Sequence, residues 1–190
     1  MNEEQFWTLV ETSGRQTQNK QDRERWLRTR LTLLRGHAII DFEILLDATR
    51  RRVDTYTHWG ALHRIIGFAS TDSFFYFQPW LIGLGRDAFE RIAASPDQLA
   101  DIPEIRKLAD LPRPWPNAVW PAWESLNYVA LYAYQHIAGE QVDVRDVIHS
   151  HGQHLLCDPE PSGIAWNFED DTEVRRCLPR LHQLFPREPR

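Results

Sequence analysis

Residues 70–102, STDSFFYFQPWLIGLGRDAFERIAASPDQLADI, contain the densest aromatic cluster of the chain. Five aromatic side chains fall within seven positions: Phe74, Phe75, Tyr76, Phe77 and Trp80. Three competent helix N-caps come directly before the cluster: Ser70, Thr71 and Asp72. Pro79 lies inside the predicted helix, so the helix either kinks there or Pro79 begins a new turn. We expect this stretch, up to Gly85, to nucleate the hydrophobic core.

Apolar residues recur at helical spacing on both sides of this stretch. The periodicity, with its cap and stop residues, predicts helices near 2–12, 21–52, 55–67, 87–94, 103–108, 123–137, 143–148 and 170–185, the last interrupted at Pro179. The polar stretch 13–19 is predicted to be a loop. No strand alternation stands out. We therefore predict an all-α fold, a single domain over 1–190 built as an irregular bundle of about seven to nine helices.

Three segments depart from the helical pattern. Residues 113–121 form a loop rich in proline and tryptophan, and the proline density excludes both helix and central strand there. Because a polar linker would not carry Trp115 and Trp120, we expect this loop to pack on the body of the domain. Residues 149–168 are predicted to be an irregular loop, and residues 186–190 a frayed tail.

Composition narrows the class of protein. The chain has 190 residues, 42% hydrophobic and 26% charged, which is typical of a soluble globule. Its net charge of −5 argues against a general nucleic-acid binder. No apolar run approaches the roughly 20 residues of a membrane-spanning helix. The acidic start, MNEEQ, and the two cysteines, Cys157 and Cys177, point to the cytoplasm.

Four segments carry a resemblance to a known family: NEEQFWTLVE, the central STDSFFYFQPWLIGLGRDAFERIAASPDQLAD, WESLNYVALYAYQHIAG and LPRLHQLFP. Together they resemble the bacterial family catalogued as domain of unknown function 4240. The family's centre resembles S-D-D-x-F-x-Y-F-R-x-W-L-I-x-x-G-R. This sequence departs from that pattern at Thr71, Gln78 and Ser95, where the family usually has aspartate, arginine and aspartate. The resemblance implies a bacterial protein and supplies neither a substrate nor catalytic residues.

One candidate site lies within the central stretch. An aspartate at a helix start and an arginine after a glycine turn could clamp an anionic group. The predicted ligand-binding set is Asp72, Tyr76, Trp80, Arg86 and Glu124. The alternative is structural, with Asp72 capping its helix and Arg86 pairing with an acid such as Asp97 or Glu124 to fix helix packing.

A second candidate is the run His149, His151, His154 and Cys157, whose side chains are of the kind that Zn²⁺ takes. Ligands this close together in one loop would strain the backbone, so a solvated loop is the alternative and no cofactor is the default expectation. No phosphate-binding glycine motif or nucleophile motif is present.

Arginine is concentrated in the second helical stretch. Five arginines lie mostly off its apolar stripe: Arg23, Arg25, Arg28, Arg30 and Arg35. We interpret them as a solvated helix face, with a surface for an anionic partner as the alternative. Arg50, Arg51 and Arg52 close the stretch, where positive charge favours the helix macrodipole.

The function that these observations favour is a non-enzymatic interaction or regulatory module that binds another protein, or itself, through aromatic side chains. Eight tryptophans without a coherent catalytic set motivate this hypothesis. The alternative is a small-molecule or anion-binding protein or hydrolase with a site around Asp72, Tyr76, Arg86 and Glu124. Metal binding by the 149–157 loop is a weaker alternative.

Overall fold

The computed structural model describes residues 1–187, and this range is folded almost entirely from helices. The α-helices are Glu3–Gln16 (α1), Lys20–Thr32 (α2), Gly36–Arg51 (α3), Tyr56–Ile66 (α4), Thr71–Gly83 (α5), Arg86–Ala94 (α6), Pro103–Asp110 (α7), Val129–Ala138 (α8), Val144–Ser150 (α9), Asp171–Cys177 (α10) and Pro179–Leu184 (α11). Shorter 3-10 helices cover Pro96–Asp101, Asn117–Val119 and Glu124–Tyr128. Residues 1–187 contain no strand, only an isolated bridge between Thr55 and Ser162. The all-α prediction is confirmed.

The described residues form eleven α-helices rather than about seven to nine. Part of the difference lies at the C-terminal end, where the interrupted helix predicted over 170–185 is two separate helices. Asp170 caps α10 by accepting the Thr172 N–H, and Pro179 starts α11 at its first position. At the N-terminal end, α1 is longer than predicted, because it continues to Gln16 through part of the predicted loop 13–19.

Helix α5 is the centre of the fold. The Ser70 side chain accepts the Ser73 N–H, so Ser70 is the cap among the three candidates, and Asp72, expected to cap the helix in the structural alternative, lies in its first turn. Phe74, Phe77 and Leu81 are fully buried, and α5 contacts α1, α3, α4, α6 and the 3-10 segment 124–128. Pro79 lies within the helix, which continues past it to Gly83.

The Pro/Trp-rich loop turns its large side chains inward. Trp115 is buried and contacts Trp120 and Phe185, with ring centroids 5.8 and 6.4 Å apart. Trp123, just beyond the loop, is also buried. These tryptophans therefore stabilise the domain and are not available as an exposed aromatic binding surface.

The irregular segment between α9 and α10 packs on the helices. Trp166 lies directly over Gly60 of α4, and its ring meets Phe168 edge-on with centroids 4.8 Å apart. In the predicted frayed tail, Arg187 pairs with Glu169 at 2.6 Å, and residues 188–190 lie outside the described residues.

Candidate functional site

Tyr76 and Glu124 are the part of the predicted ligand site that the structure brings together. The Glu124 carboxylate lies near enough to the Tyr76 hydroxyl to affect its pKa. The backbone N–H of Trp123 donates to the Tyr76 carbonyl at 2.9 Å, which fixes the 3-10 segment against α5. Partial burial and then the Glu124 carboxylate raise the pKa of Tyr76, and the nearby charge of Asp72 acts in the same direction.

Arg86 and Trp80 face other parts of the fold. Arg86 donates from Nη1 to Glu4 at 2.8 Å and from Nη2 to Glu3 at 3.2 Å, while its backbone N–H donates to Glu11. It therefore ties α6 to α1. The buried ring of Trp80 stacks on Phe77 at 5.6 Å.

Ion pairing of Arg86 was expected in the structural alternative, but with different acids. Asp97 instead accepts the backbone N–H groups of Arg180 and Leu181 at the start of α11. The ligand site predicted from Asp72, Tyr76, Trp80, Arg86 and Glu124 stays a prediction.

The histidine-rich loop does not bring its four candidate ligands to one point. The rings of His149 and His154 meet edge-on, with centroids 4.5 Å apart. His151 Nδ1 lies 2.7 Å from the Val147 carbonyl, and the Cys157 thiol is exposed. Across residues 1–187, no three His, Cys, Asp or Glu side chains are grouped so that they could hold a metal. Zinc binding by this loop stays a prediction.

A row of buried charged groups runs along α3. The sequence did not predict that these groups would be buried. Glu43, Asp47 and Arg50 are almost completely buried on one face of the helix. Burial raises the pKa of Glu43, although the positive charges of Arg145 and Arg50 oppose that shift. Arg50 donates from Nη2 to Asp47 at 3.0 Å and lies over the ring of Phe75 at 4.5 Å.

Just beyond α3, Asp54 extends this polar row to α5. Its Oδ1 accepts a hydrogen bond from Gln78 Nε2 at 2.8 Å, and burial raises its pKa. Gln78 is fully buried and is one of the positions at which this chain departs from the family pattern. Three buried atoms of the row have no hydrogen-bond partner in the described residues: Glu43 Oε2, Arg50 Nε and Gln78 Oε1. The same is true of Nδ2 of Asn127, whose Oδ1 accepts a hydrogen bond from Arg50 Nη1 at 3.3 Å.

The polar row holds the irregular C-terminal segment by its backbone. Asp47 accepts the N–H of Leu156 and Asp54 accepts the N–H of Glu160, both at 2.8 Å. Arg50 donates to the Leu156 carbonyl at 3.0 Å. The arginines at the end of α3 are therefore not simply solvated charges at a helix terminus; Arg50 is a buried cross-link, and Arg51 also pairs with Asp47, at 2.7 Å.

The arginines of the second helical stretch fall into two groups. Arg23 is half-buried, and it donates to the Val10 carbonyl, the Ser13 hydroxyl and the Gly83 carbonyl at 3.0–3.2 Å. Burial lowers the Arg23 pKa to about 10. The remaining four are exposed, as predicted for a solvated face: Arg25, Arg28, Arg30 and Arg35.

Two open depressions lie along α2. Near the start of the helix, Lys20 and Gln21 line a depression of about 560 Å³ with Ser125 and Tyr128. Near its end, residues 28–32 line a second depression, of about 510 Å³, with residues 132–140. Helix α2 and the segment 124–138 therefore run side by side in the same direction. We call the surface between them the α2–α8 groove; at 1.5 Å per residue, Lys20 to Thr32 spans about 18 Å.

The α2–α8 groove combines aromatic, aliphatic and charged side chains. The Tyr128 and Tyr132 rings lie 6.2 Å apart, and Tyr128 lines the first depression while Tyr132 lines the second. Beyond the end with Thr32, Leu33 is 72% exposed and Ile137 is 43% exposed. A Cβ atom on Gly36 would lie 3.5 Å from Ile137, which places the α2–α3 turn beside the end of α8.

The sequence contains only weak signals for the polar row along α3 and for the α2–α8 groove. The spacing of Glu43, Asp47, Arg50 and Asp54 at 4, 3 and 4 residues marks one helix face, yet a polar helix face is usually solvated. Tyr128 and Tyr132 stand four apart, but only the packing of α2 beside α8 makes them the wall of a groove.

Comparison with known proteins places the chain in a family. Residues 1–136 match the sequence model of a family described as Protein of unknown function (DUF4240). The segment LPRLHQLFP, part of the resemblance, lies beyond the matched residues. No curated protein and no solved structure matches the chain. In the part of the chain that the structure describes, no helix is both long and apolar enough to cross a membrane. Since the match covers well over half of the chain, the protein belongs to the DUF4240 family.

Proposed function

We propose that this protein is a non-enzymatic protein-binding module whose contact surface is the α2–α8 groove. The observation that carries the proposal is the open surface that Tyr128 and Tyr132 line in part, with Leu33 and Ile137 exposed beyond its Thr32 end. Large apolar side chains grouped on a surface mark sites of protein contact more often than those scattered singly. Aromatic residues flanked by polar groups are also the composition of interface centres.

The charges on the two edges of the groove define the partner. The α2 edge carries Lys20 and Arg28, and the opposite edge carries Glu124 and Glu140. Arg28 and Glu140 line the depression near the end of α2 from its opposite sides. A protein surface with one cationic and one anionic edge flanking an apolar strip would complement this arrangement.

The Pro/Trp-rich loop is not part of this proposal, because Trp115 and Trp123 are buried. The proposed aromatic contact surface is instead formed by Tyr128 and Tyr132 in the groove. A cytoplasmic location belongs to the same proposal and is supported by the two free thiols of Cys157 and Cys177, which suit a reducing compartment.

Photo-crosslinking in the native host tests the proposal. A benzophenone side chain placed at Tyr132 should form a crosslink to a discrete protein, which mass spectrometry identifies. The same group at Ile164, an 88% exposed position outside the groove, serves as the control. The purified partner should bind the wild-type chain and should lose most of its affinity for Leu33→Asp. Equal crosslinking from both positions, or unchanged affinity for Leu33→Asp, would refute the proposal.

A further inference from the structure

We infer that the partner at the α2–α8 groove is a second copy of this chain, in a two-fold symmetric dimer. This inference rests on the proposed function, since it names the occupant of the same surface. A two-fold interface must be complementary to itself, because each copy presents the same patch to the other. The question is therefore whether rotation of the groove onto itself brings matching groups together.

A two-fold axis parallel to the groove meets this condition. Rotation about that axis puts α2 of one copy over the segment 124–138 of the other and keeps both running in the same direction. An axis across the groove would instead place α2 against α2, with arginine facing arginine. The observed direction of the two edges therefore selects the parallel axis.

The charges match at both ends of the groove in this arrangement. Lys20 and Glu124 line the same depression from opposite edges. The Lys20 ammonium donates one N–H to the Trp120 carbonyl at 2.6 Å, and in the dimer its other N–H groups face the partner's Glu124. Arg28 and Glu140 line the other depression in the same way, so each Arg28 faces the partner's Glu140. Two pairs per copy give four cross-subunit pairs per dimer, and like charges directly opposite one another are avoided.

The ends of the helices supply the apolar contact. Leu33, at the end of α2, and Ile137, near the end of α8, lie at the same end of the groove. The parallel axis therefore places Leu33 of each copy opposite Ile137 of the other. Both side chains are exposed in the single chain, and the dimer removes them from water.

Near the Thr32 end of the groove, the small polar side chains of α2 leave room for the partner's Tyr132. Thr29 and Thr32 line the depression opposite Tyr132, next to Arg28. In the dimer the partner's Tyr132 lies against this threonine surface, where its ring contacts methyl groups and its hydroxyl reaches a hydroxyl partner.

A mixing experiment with charge-reversed variants tests the inference. The 190-residue chain should sediment as a concentration-dependent dimer. Arg28→Glu and Glu140→Arg should each weaken dimerisation at least about tenfold, because each variant sets like charges opposite one another. An equimolar mixture of the two variants should recover the dimer, since both edges are again complementary. The control Arg30→Glu makes the same charge change on α2 outside the lining residues and should leave dimerisation unchanged.

The outcomes separate this inference from the proposed function. If the chain is monomeric at all accessible concentrations while Tyr132 still crosslinks to a different protein, the dimer is refuted and the groove remains a binding surface. If the chain dimerises but the mixture of variants does not recover the dimer, the parallel two-fold arrangement is refuted. If Tyr132 crosslinks to nothing, both proposals fail.

Discussion

The carboxylate of Asp47 accepts the backbone N–H of Leu156 at 2.8 Å, across 109 residues of chain. The same carboxylate pairs with Arg50 and Arg51 at 3.0 and 2.7 Å. Asp47 is 5% exposed, so it is shielded from the solvent that weakens surface ion pairs. One side chain thus joins α3 to a segment that lies beyond the residues matched by the family model.

Asp47→Asn should destabilise the protein strongly. The substitution keeps the shape of the side chain but leaves the buried Arg50 without its nearest negative charge, and such losses typically cost about 3–5 kcal/mol. Urea denaturation followed by circular dichroism measures the free energy of unfolding. Asp22→Asn is the matched control, because Asp22 and Arg25 form an exposed pair with the same three-residue spacing. It should cost at most about 1 kcal/mol, and equal losses for the two variants would contradict the assignment.

Gly60→Ala should also destabilise the protein, although alanine favours helices over glycine by about 1 kcal/mol. A Cβ atom at this position would lie 2.7 Å from Cη2 of Trp166 and closer still to Cζ2. The indole would have to leave its place over α4, so thermal unfolding should shift to lower temperature and tryptophan emission should move to the red.

Two comparisons isolate the Gly60 effect. Gly36→Ala, where the nearest side-chain atoms would lie at an ordinary 3.5 Å, should be neutral or slightly stabilising. In a Trp166→Ala background, the closest obstacle is gone and Gly60→Ala should become much less harmful. Additive effects of Gly60→Ala and Trp166→Ala would show that the two residues do not interact.

The fold class could be predicted from the sequence because its signals are local. The cap at Ser70, the aromatic run of α5 and the helical periodicity each involve neighbouring residues, and the structure agrees with all three. The number of helices was underestimated, partly because Pro179 separates two short helices where the pattern indicated one interrupted helix. Such boundaries depend on a few backbone angles that composition does not determine.

The partners of charged residues could not be predicted in the same way. Arg50 and Arg23 look like ordinary helix-surface arginines in the sequence, yet their partners are Leu156 and Gly83, far along the chain. Arg86 was expected to pair with Asp97 or Glu124 and instead pairs with Glu3 and Glu4. These contacts depend on which helices become neighbours, which is a property of the whole fold.

Arg23→Lys should destabilise the protein although the substitution keeps the positive charge at this position. The planar guanidinium donates to three acceptors on α1 and α5 and lies over the ring of Trp123 at 4.4 Å. An ammonium group cannot reproduce this fork, and we expect a loss of about 2 kcal/mol from two unsatisfied acceptors. Chemical denaturation measures the change. Arg25→Lys, at an exposed position on the same helix, should have almost no effect, and a similarly small effect at Arg23 would contradict its role.

His58 should make the protein less stable in mild acid. Its ring is buried, Nε2 lies 3.1 Å from the Ile92 carbonyl, and Nδ1 lies 2.8 Å from the Thr55 hydroxyl. Burial lowers the His58 pKa from 6.5 to about 4, against the opposing effect of the Ile92 hydrogen bond. The unfolded chain therefore takes up this proton at higher pH than the folded chain, so stability is complete above pH 6.5 and falls as the pH drops towards 4.

The size of this effect follows from the difference between the two pKa values. Between pH 7 and pH 4 the wild type should lose about 3 kcal/mol more stability than His58→Gln, which cannot take up the proton. Urea titrations of both proteins across that range give the comparison. His151→Gln, at an exposed position, is the control for the loss of a histidine outside the core. If the wild type and His58→Gln lose stability in parallel as the pH falls, the pKa of His58 is not lowered in the folded protein and the prediction is wrong.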